Sequence, residues 1–391
     1  MSRAEDFRGQ HFVFLVGYIG QLGGAERQAL LTATMLRDQI GARVSFLGWS
    51  KSPGLMTDAL SHAGIPVYIH PLNWGRPGGG IRSQLGRFSR LIGFARFARN
   101  EVKPDYLLPY VGENSKIAGA IWRFAGAKYT WWNQRDEGRA VQGTPLERWT
   151  LRTVPDIVAN SWAGRDFLIE KLGVPREKVR VINNAVVIPG SVDGSTWRER
   201  LGLGPHAKLI LMVANLTRYK DHATLLDAFA LVKAREPNAS NYHLALAGKA
   251  EETAGELKAR AFDLGLGGSV HFLGAVPDVH PLYAASDLVV HSSLTEGCPN
   301  AVLEGMAHSR CVIGTDISGL RQALGEADEF LAPEKDAERL AELMIRWLGD
   351  DEGRRRAGLE NKKRIQTEFS PERLLASVLD GIAERATDRA S

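Results

Sequence analysis

The chain lacks the features that would mark a disulfide-bonded, zinc-bound or membrane-spanning protein. Its only cysteines are Cys298 and Cys311, too few for a disulfide framework or a four-cysteine metal centre. The first hydrophobic run, residues 12–19, has the size of a strand, far short of the ~18 residues that a spanning helix needs. The N-terminus has no signal-peptide core. These absences predict a cytoplasmic protein.

Two motifs of cofactor-dependent enzymes are also missing. A dinucleotide site needs Gly-x-Gly-x-x-Gly after the first strand and an acidic residue at the end of the second. Here the glycines stand at 17, 20, 23 and 24, and the second β-rich run ends in Gly48-Trp49-Ser50. No two aspartates are two residues apart, so the Asp-x-Asp motif of metal-dependent transferases is absent. We expect no cofactor, no metal and no nucleic-acid partner.

What the sequence contains is a pattern of two α/β domains. With 44% hydrophobic residues, the 391 residues suffice for two cores. Short β-rich runs such as HFVFLV alternate with helical segments, and the alternation restarts after Pro205 with KLILMVANL, which indicates two parallel sheets flanked by helices. We predict an N-terminal Rossmann-like domain at 1–187, a linker at 188–204, a C-terminal domain at 205–369, and a closing helix and tail at 370–391.

The stretch SSLTEGCPNAVLEGMA places two glutamates eight residues apart, Glu296 and Glu304. Pro299 suits an early helical position, which puts Glu296 in the preceding loop and Glu304 more than one turn inside the helix. Backbone N–H groups at such a helix start, from Gly297 to Ala301, bind anions or sugar hydroxyls. The alternative is that both glutamates are ordinary acids favoured near a helix N-terminus.

This stretch resembles the two-glutamate signature of the retaining family 4 glycosyltransferases. In that family the first acidic residue contacts the donor sugar and the second contacts the nucleotide ribose. The resemblance covers nearly the whole chain, strongly at about 155–320 and loosely before that. It implies the α/β fold called GT-B, in which two doubly wound Rossmann-like domains face each other across a cleft and a last helix often crosses back to the first domain.

A second matching stretch is VANLTRYKDHATLLDAFALV, which places Arg218 and Lys220 after a strand. The resemblance implies that they clamp the donor diphosphate, whose growing negative charge needs a metal or fixed cations. The family usually has arginine where Asn215 aligns and glycine where Asp221 aligns. This departure leaves two interpretations of Arg218 open: a displaced substitute for the family arginine, or a residue that does not touch phosphate. The family also has a small Gly-x-Pro-Val turn, which corresponds to residues 309–312 of this chain. The alternative for Arg218 and Lys220 is a pair of solvated surface charges.

Further candidates also follow from the resemblance, each with a plain turn or salt bridge as its alternative. The donor-binding candidates are Gly23, Gly24, Gly274, Gly297, Cys298, Pro299, Asn300, Ala301 and Glu304. Many relatives carry a histidine near the reacting sugar where this chain reads YTWWNQRDEGRA. Asn133, Arg135 and Asp136 are the candidates for that acceptor-side position.

Residues 80–103 form a separate motif in which arginines alternate with large apolar residues. The arginines are Arg82, Arg87, Arg90, Arg96 and Arg99, and the apolar residues are Leu85, Phe88, Leu91, Ile92, Phe94 and Phe97. A basic amphipathic helix of this kind can lie on anionic lipid. It can also pack its apolar side on the sheet as an ordinary surface helix, and the sequence leaves both interpretations open.

The sequence thus predicts a metal-independent retaining hexosyltransferase of the kind used in polysaccharide biosynthesis. Its substrates would be a nucleoside-diphosphate sugar and a hydroxyl of a glycan, lipid-linked or small-molecule acceptor. Glu296, Lys220 and Arg218 are the predicted catalytic residues. Two other functions stay open: a nucleotide-sugar epimerase of the same fold, and a non-catalytic nucleotide-sugar-binding subunit. The nucleotide, the sugar and the acceptor depend on a few pocket contacts that the sequence does not rank.

Overall fold

The computed structural model describes residues 5–72, 81–110, 112–139, 141–325 and 328–387. Backbone contacts divide the chain into two compact units. The first unit contains the chain up to Asn184 together with the segment from Pro371 onward, and the second runs from Ala185 to Ser370.

The first unit is built on a parallel sheet of seven strands in the order β5-β3-β1-β6-β7-β8-β9. These strands are β1 (His11–Leu15), β3 (Arg43–Gly48), β5 (Val67–Ile69), β6 (Tyr106–Pro109), β7 (Tyr129–Gln134), β8 (Asp156–Ala159) and β9 (Val179–Val181). Two short strands, β2 (Tyr18–Ile19) and β4 (Ser50–Lys51), pair separately. The helices are α1 (Gly24–Ile40), α2 (Leu55–His62), α3 (Ile81–Phe97), α4 (Gly112–Ile121), α5 (Pro145–Thr153) and α6 (Trp162–Leu172).

The central strand of this sheet shows why the sequence folds in this way. All five residues of β1, HFVFL, are buried, because helices cover both faces of a parallel sheet. Val13 pairs with Ser45 of β3 on one side and with Leu107 of β6 on the other. The chain therefore winds outward in one direction from β1 and then in the other, which is the doubly wound topology.

The final helix, α15 (Pro371–Thr387), belongs to this first unit and packs against α1. Arg180 of β9 lies between two carboxylates, 2.8 Å from Asp156 and 3.2 Å from Glu384 of the helix. The closing helix is therefore attached to the N-terminal sheet by both packing and charge.

The second unit repeats the design with six parallel strands in the order β12-β11-β10-β13-β14-β15. They are β10 (Lys208–Val213), β11 (Tyr242–Ala247), β12 (Val270–Gly274), β13 (Leu288–His291), β14 (Val312–Thr315) and β15 (Leu331–Ala332). The helices are α7 (Ser195–Arg200), α8 (His222–Arg235), α9 (Ala254–Asp263), α10 (His280–Ala285), α11 (Asn300–Ala307), α12 (Ser318–Leu324), α13 (Ala337–Gly349) and α14 (Asp351–Glu368). Strand order reverses between β10 and β13, the neighbours at the centre.

The structure differs from the sequence-based expectation in the segment 188–204, which was predicted to be a linker. It contains α7, and Trp197 packs against the apolar core of the second unit. Arg198 donates to the carbonyl of Ala285 at 2.9 Å and lies 3.4 Å from Asp287. The four glycines and the one proline of this segment therefore border a short packed helix.

Candidate functional site

The candidate site lies where the strand order of the second sheet reverses. One short helical turn, Arg218–Lys220, follows β10, and the Glu296 loop follows β13. Because β10 and β13 are neighbours and run parallel, their carboxyl ends open side by side at one edge of the sheet. In open α/β sheets ligands bind in the crevice at this position.

At this edge Lys220 and Glu296 meet, although they are 76 residues apart in sequence. The Lys220 ammonium donates to Oε1 of Glu296 in an ion pair. His291, the last residue of β13, places its Nε2 2.9 Å from the same oxygen. Since an ionised carboxylate only accepts hydrogen bonds, Nε2 of His291 carries the proton and donates it.

The charge state of this group follows from its surroundings. Burial opposes the ionisation of Glu296, but the charge of Lys220 and the hydrogen bond from His291 outweigh it and hold the pKa of Glu296 well below its usual range. Burial in turn lowers the pKa of His291. At neutral pH the site therefore contains a cation, an anion and a neutral imidazole.

Backbone and hydroxyl contacts hold the two loops in register. The backbone N–H of Leu294 donates to the carbonyl of Tyr219 at 2.8 Å. The hydroxyl of Ser293 donates to the same carbonyl at 3.0 Å, and that of Ser292 donates to the carbonyl of Asp221 at 3.0 Å. The approach of Lys220 to Glu296 is thus fixed by the main chain as well as by charge.

A close backbone approach supports the Glu296 loop from its other side. A Cβ at Gly319, in the first turn of α12, would lie 2.5 Å from the carbonyl oxygens of both Glu296 and Gly297. Only glycine allows α12 to pack this closely, so this helix start forms the support beneath the loop.

The helix predicted after the loop is present and begins at Asn300, with Pro299 as the residue that precedes it. Gly297, Cys298 and Pro299 are buried, while Asn300 and Ala301 are half-buried. The structure thus places the loop candidates of the sequence together, next to Glu296.

Glu304 lies more than one turn inside α11, as predicted, and is half-buried. Its Oε2 is 3.4 Å from the hydroxyl of Tyr283, which also lies 2.7 Å from the carbonyl of Ala301. Gly274 ends β12 with a φ of 68°, and its carbonyl accepts from the N–H of Gly248 at 2.8 Å. The left-handed conformation explains the glycine at this strand end.

Arg218 lies apart from the Lys220–Glu296 pair. Its side chain is 73% exposed, and its guanidinium is 3.6 Å from the carboxylate of Glu256. Its backbone N–H donates to Glu252 at 3.0 Å. The predicted role of Arg218 on the donor phosphate therefore stays a prediction. Asn215 stands where the family usually has arginine, and its side-chain amide donates to the carboxylate of Glu251 at 2.9 Å.

Two residues that depart from the family pattern share one backbone conformation. Asp221 and Ser309 stand where the family has glycine, and their φ angles are 47° and 56°. This left-handed region favours glycine. At Asp221 the cost of this conformation is offset because the side chain caps α8. It accepts from the hydroxyl of Thr224 at 2.7 Å and from the N–H of Thr224 at 3.4 Å. Both residues therefore hold a conformation that glycine adopts more readily.

In the first unit, Gly23 and Gly24 form the exposed start of α1. Asn133 is buried at 1% exposure in β7, where its amide donates to the carbonyl of Pro109 at 3.0 Å. It is thus a sheet residue rather than a loop residue.

The two other acceptor-side candidates lie in the loop after β7. Arg135 donates to the side-chain oxygen of Asn184 at 2.6 Å, and its guanidinium lies 5.4 Å from the centre of the Tyr110 ring. Asp136 accepts from the side chain of Gln134 at 2.7 Å. Their contacts within the unit order this loop.

The sequence reasoning missed two buried histidines beside the pair. His291 is 2% exposed at its side chain and bonds Glu296 directly. His222 begins α8, where burial and, to a lesser extent, His291 and Lys220 lower its pKa to about 4. One signal was present, since a histidine ends an otherwise apolar strand only five residues before Glu296.

In the described part of the chain no three His, Cys, Asp or Glu side chains lie together as metal ligands would. Within the same ranges, none of the helices has the length and hydropathy needed to cross a bilayer.

Two family models match the chain. Residues 207–350 match the model of glycosyl transferases group 1, and residues 23–185 match a glycosyl transferase 4-like domain. A curated relative, the putative glycosyltransferase EpsD of Bacillus subtilis, is 29% identical over 220 residues, 56% of this chain and 54% of that protein. Mannosylfructose-phosphate synthase of Agrobacterium fabrum is 30% identical over 185 residues, 44% of this chain and 40% of that protein. The alignments thus span about half the length of these relatives.

Solved structures with the same fold extend the comparison to nearly the whole chain. HepE of Anabaena, crystallised with UDP and glucose, has a TM-score of 0.79 and 21% identity, covering 96% of this chain and 100% of its own. WaaG, a glycosyltransferase of lipopolysaccharide biosynthesis, has a TM-score of 0.67 and 16% identity, covering 93% and 98%. The predicted fold is confirmed. The chain belongs to the group 1 glycosyl transferases with the GT-B fold.

Proposed function

We propose that the protein is a retaining glycosyltransferase that moves a sugar from a nucleoside-diphosphate sugar to a hydroxyl of a glycan, lipid-linked or small-molecule acceptor. The observation that carries this proposal is the Lys220–Glu296 ion pair, with side chains 14% and 13% exposed, at the carboxyl edge of β10 and β13. This edge is where a doubly wound sheet binds a nucleotide ligand.

The two charges of the pair suit the two halves of such a donor. Lys220 has three N–H groups, and the one that bonds Glu296 leaves others for phosphate oxygens. Fixed in a largely buried site, its charge stabilises the leaving diphosphate without reorganisation. Glu296 accepts from sugar hydroxyls, and Glu304, further along α11, accepts from the ribose hydroxyls.

The reaction then needs no separate protein base. The bond from the anomeric carbon to the diphosphate breaks while the acceptor oxygen bonds that carbon from the same face. The leaving phosphate oxygen takes the acceptor proton, and the anomeric configuration is retained. Arg218 joins Lys220 on the diphosphate, and Arg135 and Asp136 serve the acceptor side.

The test of this function is nucleoside diphosphate release from a panel of UDP-, GDP-, dTDP- and ADP-sugars, with and without EDTA. We expect slow release of the nucleoside diphosphate from one of these donors, with one particular base and sugar. EDTA should not reduce this release, because Lys220 supplies the positive charge that a metal would otherwise provide. UDP-glucose is a sound first donor, since HepE was crystallised with it. Conversion of the donor to an epimer would favour the epimerase instead, binding without release would favour the binding subunit, and no binding would contradict all three.

We also propose that the protein attaches peripherally to the inner face of an anionic membrane through residues 80–103. Gly80 and the side chains of Arg82, Leu85 and Arg87 lie outside the described part. In the rest of α3, Phe94 is fully buried in the core, but Phe88 is 64% and Ile92 is 38% exposed. Arg90 and Arg96 are exposed on the same helix. Exposed apolar rings between basic residues suit an anionic lipid surface.

Reversing the charge of Arg90 and Arg96 to glutamate is expected to abolish pelleting with vesicles of phosphatidylglycerol and phosphatidylcholine. Each basic residue near such a surface contributes about 1 kcal/mol, so losing two weakens binding at least ~30-fold. The matched control is Arg339→Glu with Arg346→Glu, two exposed arginines of α13. A wild-type protein that stays in the supernatant would rule out this attachment.

A further inference from the structure

His291 and Lys220 contact the same oxygen of Glu296. Lys220 donates to Oε1, and Nε2 of His291 is 2.9 Å from it. None of the residues in the described part of the chain hydrogen-bonds to Oε2. The carboxylate is therefore held on one side by two donors and open on the other.

We propose that His291 is a positioning residue that, together with Lys220, locks the Glu296 carboxylate so that Oε2 faces the sugar of the donor. This inference rests on the proposed function and deepens it. A carboxylate bound only by a flexible lysine can turn about its terminal bond and exchange its oxygens. A second donor on a rigid strand prevents this, because the exchange would break both contacts at once.

The position of His291 suits this role better than that of a proton-transfer group. It ends β13, where its side chain is 2% exposed, so strand packing fixes the ring. The nitrogen that faces Glu296 already carries a proton and donates it, so this atom cannot also take a proton from the acceptor. A neutral ring adds a hydrogen bond without adding charge beside the ammonium of Lys220.

Among the described residues two side chains hydrogen-bond to Glu296, which makes the role measurable. Lys220 comes from the turn after β10 and His291 from β13. His222, at the start of α8, acts in turn on His291 and Lys220. Removing His291 therefore removes one of two stabilising contacts and leaves the ion pair in place.

The kinetic test compares His291→Leu, His291→Gln and His291→Asn with the wild type. Loss of a hydrogen bond to a charged group lowers activity about 10- to 100-fold. We expect this loss in kcat for leucine and for asparagine, whose amide is too short to reach Glu296. Glutamine, whose amide nitrogen lies near the position of Nε2, should restore most of the rate. The control His243→Leu removes a half-buried histidine of β11 and should leave kcat unchanged.

A second measurement does not require activity. In protein labelled with 13C at the glutamate carboxyls, the Glu296 signal is assigned with Glu296→Gln and titrated with acid. In the wild type we expect the Glu296 signal to keep the chemical shift of an ionised carboxylate down to the lowest pH at which the protein is folded. In His291→Asn and His291→Leu its midpoint should move up, since the hydrogen bond favours the charged form, while His291→Gln should follow the wild type.

Identical titrations in the wild type, His291→Asn and His291→Leu would overturn the role of His291. So would equal loss of kcat in the glutamine and asparagine variants. If the protein transferred no sugar at all, the proposed function would fail. The carboxyl titration would still decide whether His291 holds the Glu296 carboxylate. If His291→Leu does not fold, the glutamine and asparagine variants carry both measurements.

Discussion

Glu296→Gln is expected to lower the rate of sugar transfer by about 100- to 1000-fold, the usual effect of losing one preorganised electrostatic contact. The amide oxygen still accepts from Lys220 and His291, so the loop keeps its shape, but the negative charge that holds the sugar is gone. Steady-state kinetics with the donor found in the panel measure the effect, and a thermal melt checks folding. The matched control is Glu329→Gln, an exposed glutamate paired with Arg346.

Glu296→Ala should lower turnover further and also cost stability. It leaves Lys220, only 14% exposed, without its partner, and breaking a buried pair typically costs about 3–5 kcal/mol. We still expect the loss of turnover to exceed any loss of folded protein. Equal activity at equal folding in either variant would refute the assignment of Glu296.

Lys220→Met is the second change with a large expected effect, again about 100- to 1000-fold in kcat. Methionine keeps much of the length of lysine but removes the cation that neutralises the leaving diphosphate. Lys220 is also the strongest contribution that lowers the pKa of Glu296, so this pKa should rise in the variant. A carboxyl group whose pKa is lower in the folded protein stabilises the fold at pH values above its pKa in the unfolded chain. This stabilisation disappears as the pH falls through the pKa of the folded state. The variant should therefore lose stability chiefly above the unfolded carboxyl pKa, as urea unfolding at several pH values would show.

Arg218→Ala is the informative comparison for Lys220. Arg218 is 73% exposed and lies beside Glu256, so its contact with phosphate would form only with the donor bound. We expect about a tenfold loss of kcat/KM, in line with a single charge-assisted hydrogen bond and smaller than the loss in Lys220→Met. A larger loss of kcat in Arg218→Ala than in Lys220→Met would reverse the roles assigned to the two cations.

Most of the fold could be predicted because each central strand is an almost continuous apolar run. KLILMV, which forms β10, is buried at four of its six positions, and such runs between helical segments point to a parallel sheet. The short strands β2, β4 and β15 and helix α7 were missed. Two residues give no periodicity, and the few apolar residues of α7 stand among glycines and serines.

The motifs named Glu296, Glu304 and Lys220 as candidates, and the structure brings Lys220 and Glu296 into contact. That contact depends on strand order, which spacing along the chain does not encode. For Arg218 the motif predicts a phosphate contact, and the side chain lies beside Glu256 without a donor, so the prediction stays a prediction. His291 was missed because a lone histidine in an apolar strand is usually a core residue.

The most direct test of the central claim is calorimetric titration of the wild type and Glu296→Gln with the nucleoside diphosphate and with its sugar conjugate. Glu296 is assigned to the sugar alone. The wild type should therefore bind the conjugate more tightly than the nucleotide. In Glu296→Gln this difference should disappear while affinity for the nucleotide stays close to that of the wild type. If the variant kept the wild-type difference between the two ligands, Glu296 would not be the sugar-binding residue of this site.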